Sequence, residues 1–164
     1  MADWPNWAGD LPTWITTVAV AIAAIQYLHE RRRRRQEAER EARQQATNLT
    51  AWTVTDAGEL RHYGVRLSNT SGSTFHDVHI ETVMHGSPVR GPIRLLIVPP
   101  GDYYIGLAEK NAPYPWQFAR AVEEHDGALR PYMQTDQYRV TSMRFSDNLN
   151  QTWVTDDRAV LVAL

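Results

Sequence analysis

Few side chains in this chain of 164 residues could do chemistry, and their spacing works against it. His76 and His79 lie three apart in a segment that alternates apolar and polar residues. On a strand, positions three apart face opposite ways, so the pair is not expected to grip one metal ion. The other four histidines are scattered. Ser71-Gly72-Ser73 reads as a turn without the surroundings of a nucleophile elbow, and no glycine loop of the kind that cradles phosphate occurs. Asp147, Asp156 and Asp157 offer carboxylates near the end, but not with the spacing of a calcium loop. Turn acids bathed in solvent are the expectation for them. No catalytic, cofactor-binding or metal-binding residue is expected, and no enzyme activity. The absence of cysteine fits a reducing compartment.

Position in the cell is the stronger signal. Leu11 to Leu28, LPTWITTVAVAIAAIQYL, carries no charge over eighteen residues and is closed by His29-Glu30 and five arginines, Arg31, Arg32, Arg33, Arg34 and Arg35. As a helix the run extends about 27 Å, just under a hydrocarbon core of about 30 Å. The expectation is a single membrane span over 11–28, with Trp14 near one headgroup layer and Tyr27 near the other. The first ten residues hold Asp3 and Asp10 and no base, so positive charge follows the run. That order directs a short N-terminus, 1–10, outward and keeps the rest of the chain on the cytoplasmic side. The arginines serve as topology signal and as contacts for anionic headgroups of the bilayer, at about 1 kcal/mol each near the surface.

Beyond the run, residues 29–52 are rich in Arg, Glu, Gln and Ala and lack Gly and Pro, which predicts a charged helical stalk. Glu30 with Arg34 and Glu39 with Arg43 stand four apart as opposite-charge pairs. From Ala51 onward ten basic residues face thirteen acidic ones. This mildly acidic balance argues against nucleic acid as a partner, because phosphate contacts need a basic face.

Residues 53–164 change to period two. Tyr63, Val65 and Leu67 share a face, and Asn69 to Ser73 form a turn cluster. The segment from Phe75 to Val83 sets Val78 and Ile80 inward against Asp77, His79 and Glu81 outward. Ile93 to Val98 is a strand ended by Pro99-Pro100-Gly101, and Tyr103 to Leu107 returns. Tyr138, Val140 and Ser142 are out of phase with Met143 and Phe145, so a bulge is expected near Ser142. Asp147 to Gln151 turns the chain into Thr152-Trp153-Val154, and Ala159 to Leu164 closes it. The fold class that follows is mainly β: an N-terminal transmembrane helix, a polar helical stalk, and an antiparallel, immunoglobulin-like β-sandwich.

Between Ala108 and Gln137 the alternation lapses. Pro113-Tyr114-Pro115-Trp116-Gln117-Phe118 sets three aromatics among prolines, and Tyr132 follows the Glu123-to-Gly127 turn. An excursion of that length is often functional, and Tyr114, Trp116, Phe118 and Tyr132 form the candidate partner surface. The plainer role for Trp116 and Phe118 is to plug an open edge of the sandwich.

One set of features resembles a known group. The uncharged run, the Arg/Glu/Ala helix ending near a Trp, Asn69-Thr70-Ser71 after a strand, the Pro99-Pro100-Gly101 turn, and Phe145-x-Asp147 followed by Trp153 are similar to small membrane proteins of actinobacteria whose function is uncharacterised. Those proteins usually carry a glycine in the final turn and a base beside the Trp, where this chain has Asn150 and Val154. The resemblance implies a span and a β domain and no activity. The expected function is a noncatalytic anchor or scaffold holding a partner protein, or copies of itself, at the membrane. Two other classes stand beside it: a subunit of a larger phage or defence assembly with the apolar helix buried between subunits, and a tethered sensor or hydrolase with its site in the excursion.

Overall fold

The structure, a computed structural model, describes residues 11–58, 62–109 and 111–164; the side chains of residues 11–17 and of Arg35 lie outside the description. Two compact units divide the chain, one reaching Ala42 and the other running from Arg43 to Leu164.

Helix α1 (Leu11–Ala46) follows from a segment of good helix formers in which the one proline, Pro12, sits in the first turn. The Glu30–Arg34 pair closes at 2.9 Å and Arg33–Glu37 at 3.6 Å, both exposed and each worth a few tenths of a kcal/mol. Arg31 to Arg34 are exposed, as are Val20, Ile22, Ile25, Tyr27 and Leu28. Among the described residues no helix is long and apolar enough to cross a membrane. The expected span begins at Leu11, and its first seven side chains, Trp14 included, fall outside the description, as do residues 1–10. The described remainder, Val18 to Leu28, meets the charged segment too soon to cross a core of about 30 Å at about 1.5 Å per residue.

The helix also ends earlier than the composition suggests. Thr47 caps back onto the Gln44 carbonyl at 2.7 Å, and strand β1 (Leu49–Asp56) starts two residues later. Leu49 and Trp52, expected on the stalk, are strand residues. Thr50, Thr53, Val54 and Thr55 are β-branched and favour the extended chain, and the pairing of β1 on both edges secures it. Arg43 donates to the Leu161 carbonyl at 3.1 Å.

The second unit is built of two antiparallel sheets. β2 (Tyr63–Asn69), β6 (Gly101–Gly106), β7 (Arg120–Ala121) and β8 (Leu129–Pro131) join β1 in the order β7-β6-β2-β1-β8. The second sheet holds β3 (Phe75–Met84), β4 (Ser87–Pro88), β5 (Ile93–Val98), β9 (Arg139–Ser146), β10 (Thr152–Thr155) and β11 (Leu161–Ala163). Its order is β11-β10-β9-β3-β4, with β5 also paired to β3. The expected strands are therefore present, and the architecture is mainly β and sandwich-like. Val65, Leu67 and Ile105 from the first sheet and Phe75, Val78, Ile80 and Phe145 from the second are fully buried. The Phe75 and Phe145 rings meet edge to face at 5.2 Å in this core.

Two bulges set the phases. On β9, Glu81 pairs Ser142 while Thr82 pairs Val140, so Thr141 is the extra residue, beside the position expected. On β3, His76 pairs Ser146 and His79 pairs Arg144, which makes the second bulge at Asp77, where φ is 50°. This bulge was not expected, and it overturns the reading of the two histidines. Phe75, Val78 and Ile80 are buried while His76 and His79 both lie on the outward face.

Buried polar side chains close the strand ends. Asn69 Nδ2 donates to the Ser73 carbonyl at 2.8 Å and to the Val98 carbonyl at 3.0 Å, and Oδ1 accepts from the Ser71 amide and hydroxyl at 3.0 and 2.7 Å. Asp147 is not a solvent-bathed turn acid, being 2% exposed. Its Oδ1 accepts from the Leu149 and Gln151 amides at 2.9 Å, and its Oδ2 from the Trp153 indole N–H at 2.9 Å. Asn150 in the same turn has φ 62°, a conformation that asparagine tolerates where glycine is more usual. Asp156 does match the expectation of an exposed turn acid, accepting from the Arg158 and Val160 amides.

Asn69→Ala leaves several of these groups buried and unmet, so a loss of about 2–4 kcal/mol is expected in chemical denaturation followed by tryptophan fluorescence; a loss below about 0.5 kcal/mol would refute the role. Asp147→Asn sets an amide N–H₂ against the Trp153 indole N–H or the turn amides, two donors facing each other. It should therefore destabilise more than Trp153→Phe relieves when the two are combined, a comparison that a double-mutant cycle reads directly.

Candidate functional site

The excursion does not float free. β7 pairs the outer edge of β6, Leu107 bridges Trp116, and β8 pairs β1, so residues 108–137 are fastened to the first sheet at both ends. Register places Trp52, Arg66 and Tyr104 in one cross-strand row and Val54, Gly64 and Gly106 in the next. The Gly64–Gly106 pairing leaves that second row without side chains on two neighbouring strands. A Cβ on Gly64 would lie 2.5 Å from both the Ile105 carbonyl oxygen and the Tyr104 ring, and one on Gly106 would lie 2.7 Å from Gln117 Oε1. The bare strip is thus already filled by Tyr104 and by the returning excursion.

Beside its Gly106 end lies a half-enclosed cavity of about 210 Å³. Asp56 from the end of β1, Tyr104 from β6 and His125 from the excursion line its buried side, and the exposed Arg120 and His62 stand at its rim. His125 Nε2 is 3.2 Å from Asp56 Oδ2, with both side chains about nine-tenths buried. The contact is short but misaligned: Nε2 has no hydrogen-bond partner among the described residues. Asp56 Oδ1 accepts from the Gly58 amide at 3.0 Å. The His125 ring leans on Tyr104 at 4.6 Å between centroids. Burial raises the Tyr104 phenol above the ordinary tyrosine range, the Asp56 carboxylate adds to the rise, and the Arg120 guanidinium partly offsets it. In the neighbouring row Arg66 sits over the Trp52 ring at 5.4 Å and donates to Asp102 at 2.8 Å; hydrogen bonding from Ser68 and then Arg66 holds Asp102 below the usual carboxylate range.

The expected partner surface divides. Phe118 is 95% exposed and Tyr114 75%. Trp116 is half-buried, its indole N–H donating to the Gly91 carbonyl at 3.0 Å, which braces the loop. Plugging an edge thus describes Trp116 but not Phe118. Tyr132 belongs elsewhere, stacked on Tyr138 at 4.2 Å in a group with Tyr63 and His85. Tyr27 and Arg31 to Arg34, expected to anchor the chain to a membrane, lie on α1, in the other unit, and no group of three metal-ligating side chains occurs among the described residues.

Sequence reasoning found the excursion but missed Asp56, Tyr104 and Arg120. The signal that could have found them is the pair of glycines inside alternating strands, which marks a place where something else approaches the backbone.

Gly64→Ala must displace the Tyr104 ring, and a loss of about 1–3 kcal/mol is expected, whereas Gly72→Ala, with open space around it, should cost under about 0.5 kcal/mol. In an absorbance titration at 295 nm Tyr104 should ionise above the ordinary tyrosine range. Tyr104→Phe removes that late step, Asp56→Asn moves it toward lower pH and Arg120→Gln toward higher pH. Because the folded state keeps its proton longer than the unfolded state, stability falls as pH rises above about 10. No protein family, curated protein or solved structure matches this chain.

Proposed function

We propose that this protein is a noncatalytic membrane anchor that presents an immunoglobulin-like β domain to a protein partner, or to further copies of itself, at the cytoplasmic surface. The observation that carries the reading is the proline-spaced loop with Tyr114 and Phe118 turned to solvent while Trp116 pins its base. Large apolar side chains held outward on a braced loop are a costly arrangement for a monomer and a suitable one for contact. The anchoring half rests on the uncharged run from Leu11 to Leu28 and the arginines after it, with the N-terminus outside. Exposed Val20, Ile22, Ile25 and Leu28 on α1 support it, since lipid would cover what water does not favour.

A second reading, a small-molecule sensor, is favoured by the cavity beside Asp56. Its described wall offers Asp56, His62, Tyr104, Gln117, Arg120 and His125, groups that recognise a ligand by charge and hydrogen bond.

Tyr114→Ala with Phe118→Ala should leave stability within about 0.5 kcal/mol, since both side chains are exposed, yet abolish crosslinking to neighbours in cells. Undiminished capture would refute the surface. The anchor is tested separately: carbonate should leave the chain in the membrane pellet, and protease added outside intact cells should spare the β domain.

A further inference from the structure

We infer that the cavity between the first sheet and the excursion binds a small zwitterion, an α-amino acid or a molecule with the same ammonium and carboxylate pair. The reasoning starts from the opposite charges set around one small space. Asp56 lies on the buried side and Arg120 on the exposed rim of a cavity of about 210 Å³. That is room for several waters or for a ligand of a few non-hydrogen atoms, and it is smaller than a drug-sized pocket of about 300 Å³ or more.

Among the described residues Asp56 is only partly used. Its Oδ1 takes the Gly58 amide, but Oδ2 faces His125 Nε2 at 3.2 Å without an aligned hydrogen bond, and Nε2 has no other partner among the described residues. A carboxylate oxygen and a ring nitrogen, buried and imperfectly met, are groups that a bound ammonium can satisfy: it donates to Oδ2, while the ring turns to a better partner. Among the described residues Arg120 reaches Gln117 Oε1 alone, at 3.5 Å, and its exposed guanidinium can take a carboxylate in the two-point fashion. A ligand with an anion alone would set a like charge against the buried Asp56 carboxylate, and one with a cation alone would forgo the guanidinium at the rim. A metal ion would need a third protein donor that the described residues do not bring. The inference is independent of the anchoring and partner-surface readings.

The test uses the full chain in nonionic detergent and saturation-transfer NMR with glycine, L-alanine and L-serine as probes, alongside L-alanine methyl ester, which lacks the anion, and N-acetyl-L-alanine, which lacks the cation. At least one free amino acid should receive saturation and bind with a Kd of about 1 mM or tighter. Each blocked form should bind at least about tenfold more weakly, the loss expected for one unmet charged group. Arg120→Gln, at an exposed position, should lower amino-acid affinity by a similar factor while leaving the methyl ester unchanged. No transfer to any of the three amino acids, equal binding of the blocked forms, or an unchanged amino-acid affinity in Arg120→Gln would each overturn the inference.

Discussion

Asn69 shows the constraint on which the strand ends of the β unit depend: burying a polar side chain is cheap only where the donors and acceptors it carries are met. All four of its hydrogen bonds are made, two to carbonyls and two from Ser71, and one of those carbonyls, Val98, belongs to the other sheet. A single amide thereby fixes the end of β2, the turn after it and the strand before the Pro-Pro-Gly corner. In a low-dielectric interior such a network is strong when complete and expensive when broken. The rest of the unit repeats the device with carboxylates. Asp147 gathers two turn amides and an indole, Asp156 gathers two amides, and Asp56 takes the Gly58 amide.

That view changes the meaning of the features on which the expected likeness to actinobacterial membrane proteins was built. Asn69 with Ser71, the Pro99-to-Gly101 corner, and Phe145 with Asp147 and Trp153 are all parts of the polar closure or of the core beneath it. They specify how strands end. They say little about what the domain binds, and the candidate site is built from other residues.

What could be read in the sequence follows from which forces are local. Strand positions were legible because burial on one face imposes period two, and Val65, Leu67, Val78 and Ile80 obey it. The bulge at Thr141 was legible because two phases met within a few residues. The bulge at Asp77 was not, since polar side chains at 76, 77 and 79 leave the phase undetermined, and so the shared face of His76 and His79 was lost. The end of α1 was misjudged for a related reason: Leu49 and Trp52 continue a spacing of three, and it is pairing with β2 that holds that segment as a strand. The cavity brings Asp56 to His125, partners too far apart in the chain for any local pattern to record.

Strand β5 carries a consequence of another kind. It hydrogen-bonds only to β3, leaving its other edge unpaired among the described residues, and Leu96 and Ile97 on it are 81% and 59% exposed. Such an edge is a template on which a stray extended chain can nucleate. Arg94 within the strand and the prolines at 99 and 100 act as gatekeepers, the first by charge and the others because they have no N–H to offer. The border meets the Asn69 closure at Val98, so the residues that end this strand also limit how far a stray chain could extend along it.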